Sequence, residues 1–102
     1  MTVKTHFSDD KKVVTISIEG SFDFSLYQSF REAYSEIDII GLQVILDLSK
    51  TDHVDSSALG MILLLKDHTD ELSGALTIQK PNATVRQILN IAQFDKLMKI
   101  NN

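Results

Sequence analysis

The chain contains no cysteine, which excludes a disulfide framework and any cysteine-built metal site. A reducing compartment fits that absence. Basic residues are few, with 10 Lys and Arg against 14 Asp and Glu and a net charge of −4. That balance argues against a nucleic-acid binder or a lipid-surface patch, both of which need clustered cations. Residues 1–6 lack the apolar core of a secretory signal. The longest apolar run, residues 58–65 with Gly60 inside it, falls far short of the roughly 20 residues that span a membrane. No glycine-rich phosphate loop is present, so nothing predicts a nucleotide or other cofactor. These absences predict a cytoplasmic protein with no cofactor, whose partners are neither nucleic acid nor membrane.

What remains is an ordinary globular composition, 43% hydrophobic and 24% charged over 102 residues. That length predicts one domain, residues 1–102, large enough to bury a core unaided. Val3, Thr5 and Phe7 alternate with polar neighbours, and Val14, Ile16 and Ile18 alternate with Thr15 and Ser17. Two such runs, joined by the polar turn at residues 8–11, predict an antiparallel hairpin. The stretch Gly20-Ser21-Phe22-Asp23 breaks the pattern. A helix starting at Asp23 or Ser25 follows, its apolar stripe being Leu26, Tyr27, Phe30, Ala33, Tyr34 and Ile37.

Residues 42–48 are nearly all apolar, as expected of a central strand. A second helix is predicted from Ser57 to about Leu72, a strand over 75–79, and a third helix after Pro81 with Asn82 as its cap. Leu97, Met98 and Ile100 predict a last strand or docking segment. The fold class is therefore α/β, a mixed β-sheet with helices packed mainly on one face, in the order β-β-α-β-α-β-α-β. Strands joined through helices should run parallel with right-handed crossovers.

The junction between the central strand and the second helix, Asp55-Ser56-Ser57, carries the residue types that cap helix N-termini. As a cap alone it contributes about 1 kcal/mol. In parallel α/β sheets, ligands and chemistry gather at the carboxyl ends of strands. Ser56 follows one such end and the Gly20 to Asp23 loop another. If those strands are neighbours, Asp23 approaches Ser56. The helix that follows is apolar all round at its start. Leu59, Met61 and Ile62 cannot all point inward together with Leu63 to Leu65, so apolar surface should remain near Ser56, as on a protein-binding face.

Two other chemistries fit less well. His53, Asp55 and Ser56 invite a hydrolase reading, but no Gly-x-Ser-x-Gly elbow surrounds the serine and residues so close in sequence rarely form a triad. The expectation is therefore no enzyme activity. Asp52, His53, Asp55 and His68 show no metal-ligand spacing, so no metal is predicted.

The run Val44-Ile45-Leu46-Asp47-Leu48, followed after seven residues by Ser56-Ser57-Ala58-Leu59-Gly60, resembles the signature of the anti-sigma factor antagonist family, the stand-alone STAS domain. Gly20-Ser21-Phe22-Asp23 is similar to that family's glycine-x-hydrophobic-aspartate turn. The resemblance implies partner switching, in which the unmodified antagonist binds a serine-kinase anti-sigma factor. That kinase phosphorylates the antagonist and thereby releases it, and a protein serine phosphatase reverses the step. It implies Ser56 as the phosphorylation site, with Asp23, Asp55 and Ser57 beside it, and Ala58, Leu59, Gly60 and Ile62 in contact with the partner. The alternative is a stand-alone STAS regulatory module whose kinase and phosphatase control another process. Ala58 stands where the family usually has glycine, and His53 where an apolar residue is common.

Overall fold

A computed structural model describes residues 2–102. The hairpin forms as expected, β1 (Thr2–Phe7) antiparallel to β2 (Val13–Phe22), with Val3 opposite Ile18 and Phe7 opposite Val14. A 3₁₀ turn (Phe24–Leu26) leads into α1 (Tyr27–Glu32), then β3 (Gln43–Asp47), β4 (Thr51–Val54) and α2 (Ser56–Glu71). β5 (Ala75–Gln79), α3 (Ala83–Ile91), a second 3₁₀ turn (Phe94–Lys96) and β6 (Lys99–Asn101) complete the chain. The sheet order is β1-β2-β3-β5-β6, with β4 paired to the far end of β2.

Every β-α-β step after the hairpin moves the same way across this order, from β2 to β3 to β5 to β6. Right-handed crossovers that all step in one direction put all their helices on one side. Val14, Ile16, Ile18, Val44, Leu46, Leu76 and Ile78 are buried on that side against Phe30, Ala58, Ile62, Leu65, Val85 and Leu89. The opposite face, with Thr15, Ser17, Asp47, Thr77 and Gln79 around Ile45, is mainly polar and only half-buried. Its side-chain chemistry is what lets a largely parallel sheet stand without a second helix layer.

Two elements depart from expectation. The first helix ends at Glu32 instead of reaching Ile37. Beyond it come three-residue turns, Tyr34 N–H to the Arg31 carbonyl and Ile37 N–H to the Tyr34 carbonyl, and the Ile37 carbonyl meets the His68 ring at 2.8 Å. Tyr34 is nevertheless buried, which is why its spacing read as helix. The second departure is β4, an extra strand where only a junction was expected. Its burial pattern has an inward residue at each end and two exposed between, so it shows no alternation. Pairing starts at Gly20, whose φ of +90° suits glycine, and the register shifts between Gly20 and Ser21. The buried Thr51 hydroxyl donates to the Ile18 carbonyl at 2.8 Å and secures the bulge.

Candidate functional site at two matched strand ends

β2 and β4 run parallel with Phe22 opposite Val54, and the Asp55 N–H donates to the Phe22 carbonyl at 3.4 Å. The next residue on each strand is an aspartate, so Asp23 and Asp55 leave the sheet side by side. Each then caps its own helical start. Asp23 Oδ1 accepts from the Ser25 N–H at 2.9 Å and from the Ser25 hydroxyl. Asp55 Oδ1 accepts from the Ala58 N–H at 2.9 Å and from the Ser57 hydroxyl at 2.7 Å. The two corners share one pattern, Asp-x-Ser, in which the second hydroxyl is tied back to the carboxylate. The residue between them is left outward: Phe24 in one corner, Ser56 in the other.

Both Phe24 and Ser56 are exposed. Among the described residues the Ser56 hydroxyl has no hydrogen-bond partner, whereas that of Ser57 is held in the cap. The two adjacent serines therefore differ in availability. Along α2, Gly60, Leu63, Leu64 and Asp67 continue the outward stripe from Ser56. Residues 22–27 and 51–63 contain Asp23, Asp52 and Asp55 and no lysine or arginine. Among the described residues no group of three His, Asp or Glu is placed to hold a metal ion, and no helix is long and apolar enough to cross a membrane.

Against known families, the STAS domain profile matches residues 5–102. The chain belongs to the STAS domain family. A STAS-domain containing protein of Pseudomonas aeruginosa is 40% identical over 94 residues, covering 92% of this chain and 93% of the relative. TM1081 of Thermotoga maritima, described as an anti-sigma factor antagonist, has the same fold with a TM-score of 0.84 at 22% identity. That match covers 98% of this chain and 86% of the other. The anti-sigma factor antagonist SpoIIAA of Bacillus, in its unphosphorylated form, gives 0.74 at 14% identity, covering 99% and 88%. At such identities the two structures establish a shared fold.

The geometry corrects part of the expected partner surface of this STAS domain. Ala58 and Ile62 are both 0% exposed, because they lie four residues apart on the stripe of α2 that seals the sheet. They hold the core and present no side chain to a partner. Leu59 is half-buried and Gly60 exposed. The apolar surface expected near Ser56 is present, but Leu63 at 38% and Leu64 at 45% exposure provide it, while Met61 and Leu65 turn inward. An opening that is apolar all round carries no polar contrast from which to read the facing of each leucine.

The cap has a pH signature. The hydrogen bonds from the Ser57 hydroxyl and the Ala58 N–H hold the Asp55 carboxyl below its ordinary 3.8. A carboxyl depressed in the folded state contributes stability that is present above the unfolded value and lost as pH falls through the folded one. Asp55→Ala should therefore lower the melting temperature at neutral pH, through a cap worth about 1 kcal/mol. The gap to wild type should narrow as the pH falls below 3.8 and close as it passes the lower value of the folded state. Thermal denaturation of both proteins from neutral pH into the acid range reads this directly, and a gap that stayed constant would remove the carboxylate from the cap.

Proposed function

We propose that this STAS domain is an anti-sigma factor antagonist controlled by phosphorylation of Ser56. In this reading the unmodified chain docks on a serine-kinase anti-sigma factor in the cytoplasm. The kinase transfers a phosphoryl group from ATP to the Ser56 oxygen, the complex parts, and a protein serine phosphatase restores the hydroxyl. The domain itself performs no chemistry. The observation that carries the reading is the outward, unbonded hydroxyl of Ser56 beside a Ser57 hydroxyl occupied by Asp55. SpoIIAA, which shares the fold, has been solved in both unphosphorylated and phosphorylated forms.

The switch follows from charge. A phosphoryl group adds about −1.5 to −2 units at neutral pH. The first-turn amide of Ala58 is already taken by Asp55, so the phosphate stays in water next to two carboxylates. The fold keeps its cap, and a partner closing over the site has to desolvate a dianion in an already negative corner. Release thus needs little rearrangement of the domain.

Gly60 contributes on the same surface. It is exposed, and a Cβ added there meets nothing within 4 Å, so the fold has no packing reason for glycine. A mid-helix glycine destabilises by about 0.5–1 kcal/mol relative to alanine. Gly60→Ala should raise the denaturation midpoint of the isolated domain and weaken the kinase complex, which would lose its close backbone approach. Urea titration and a binding isotherm measure the two effects separately. The reading as a whole is tested by purification from the native cell and mass spectrometry of the Ser56 peptide. An ATP-binding kinase partner and phosphate on Ser56 are expected. Phosphate on Ser57 alone, or on neither serine, would refute it.

A further inference from the structure

We infer that the surface governed by Ser56 has a second, aromatic half, formed by Phe24 stacked on Tyr27, which supplies binding strength while Ser56 supplies control. This inference rests on the partner-switching reading above and names what the kinase partner must offer: an apolar side chain laid on the Phe24 ring.

Phe24 has no visible task in the fold. It is 65% exposed, although its neighbours Phe22 and Phe30 are core residues in ring contact at 5.0 Å. Single exposed apolar residues are common, but this one is held in place. Its ring lies 5.2 Å from that of Tyr27 with planes 23° apart, and the Asp23 cap fixes the turn on which it sits. A pre-ordered aromatic ring loses little entropy on binding and gives a large contact area.

Its location ties it to Ser56. Phe22 and Val54 are paired, adjacent strands lie about 4.8 Å apart, and each chain runs through one capping aspartate before reaching Phe24 or Ser56. A partner broad enough to span the two adjoining corners would meet Phe24 as well as Ser56.

The chemistry of the occupant follows from the switch. A lysine or arginine on the ring would be attracted to the new phosphate and to Asp23, and phosphorylation would then tighten the complex. An apolar group is indifferent to that charge in the bound state and leaves desolvation at Ser56 free to drive release. The contact is therefore apolar, in the manner of aromatic anchors at protein interfaces.

The test uses the full chain and the purified serine kinase that it recruits, with binding measured by calorimetry. Phe24→Ala should weaken the complex about tenfold or more, with an unchanged circular dichroism spectrum. Phe24→Leu, which keeps an apolar contact, should recover part of the loss. Ile91→Ala, which removes an exposed apolar residue from α3, should bind as wild type. Phe24→Ala binding as tightly as wild type while Ser56→Asp binds weakly would overturn the aromatic half and leave the switch intact. Weak binding by Phe24→Ala with Ser56→Asp unaffected would overturn the switch and keep the aromatic contact. Equal losses from Phe24→Ala and Ile91→Ala would overturn the inference as non-specific stickiness.

Discussion

Ser56→Asp is expected to weaken the proposed kinase complex about a hundredfold, corresponding to about 3 kcal/mol, without unfolding the domain. The carboxylate would stand in for part of the phosphate charge, beside Asp23 and Asp55 and with no lysine or arginine in residues 22–27 or 51–63 to offset it. Because Ser56 is exposed and outside the cap network, the melting temperature should scarcely move. Ser56→Ala should bind as wild type and accept no phosphate. Calorimetry on the three proteins decides the matter: equal affinity for the aspartate variant would end the charge-based account.

Gly74→Ala should destabilise the whole domain by about 3 kcal/mol or more, a large share of the stability of a small protein. A Cβ at Gly74 would sit 2.0 Å from the Leu42 carbonyl oxygen. That oxygen accepts the Ala75 N–H at 3.0 Å, and the Gly74 N–H closes the end of α2 on the Thr69 carbonyl at 2.8 Å. The clash is with backbone on both sides, so no rotamer change relieves it. Either β5 moves away from β3 at their first rung or the end of α2 unwinds. Urea denaturation should show a sharply lowered midpoint, and a melting temperature within about 2 °C of wild type would contradict this packing.

Most of the architecture was legible because the apolar pattern is regular where the sheet is regular. Val14, Ile16 and Ile18 alternate on β2, Leu76 and Ile78 on β5, and Asn82 caps α3 by accepting the Val85 N–H. Legibility failed where long-range bonds replaced local periodicity. Thr51-Asp52-His53-Val54 became a strand through a bulge and a bond to Ile18, neither of which is written in those four residues. Tyr34 and Ile37 keep helical spacing past the end of α1, where three-residue turns replace the helical bonds. At the candidate site, the motif assigned Ala58 and Ile62 to the surface, when helical phase puts Leu63 and Leu64 there. The difference between Ser56 and Ser57 depends on one hydrogen bond to Asp55, and nothing in the local pattern marks Phe24, which lies outside the stripe of Leu26, Tyr27 and Phe30.

The bulge at Gly20 has a bearing on which serine a kinase can choose. It sets how far β4 advances along β2, and so decides which residue after Val54 folds back as the cap and which swings free. That placement leaves Asp55, the first residue beyond the paired Val54, as the cap and Ser56 outside it. In the proposed switch, strand registry tens of residues upstream in the chain would thus bear on which hydroxyl a kinase meets.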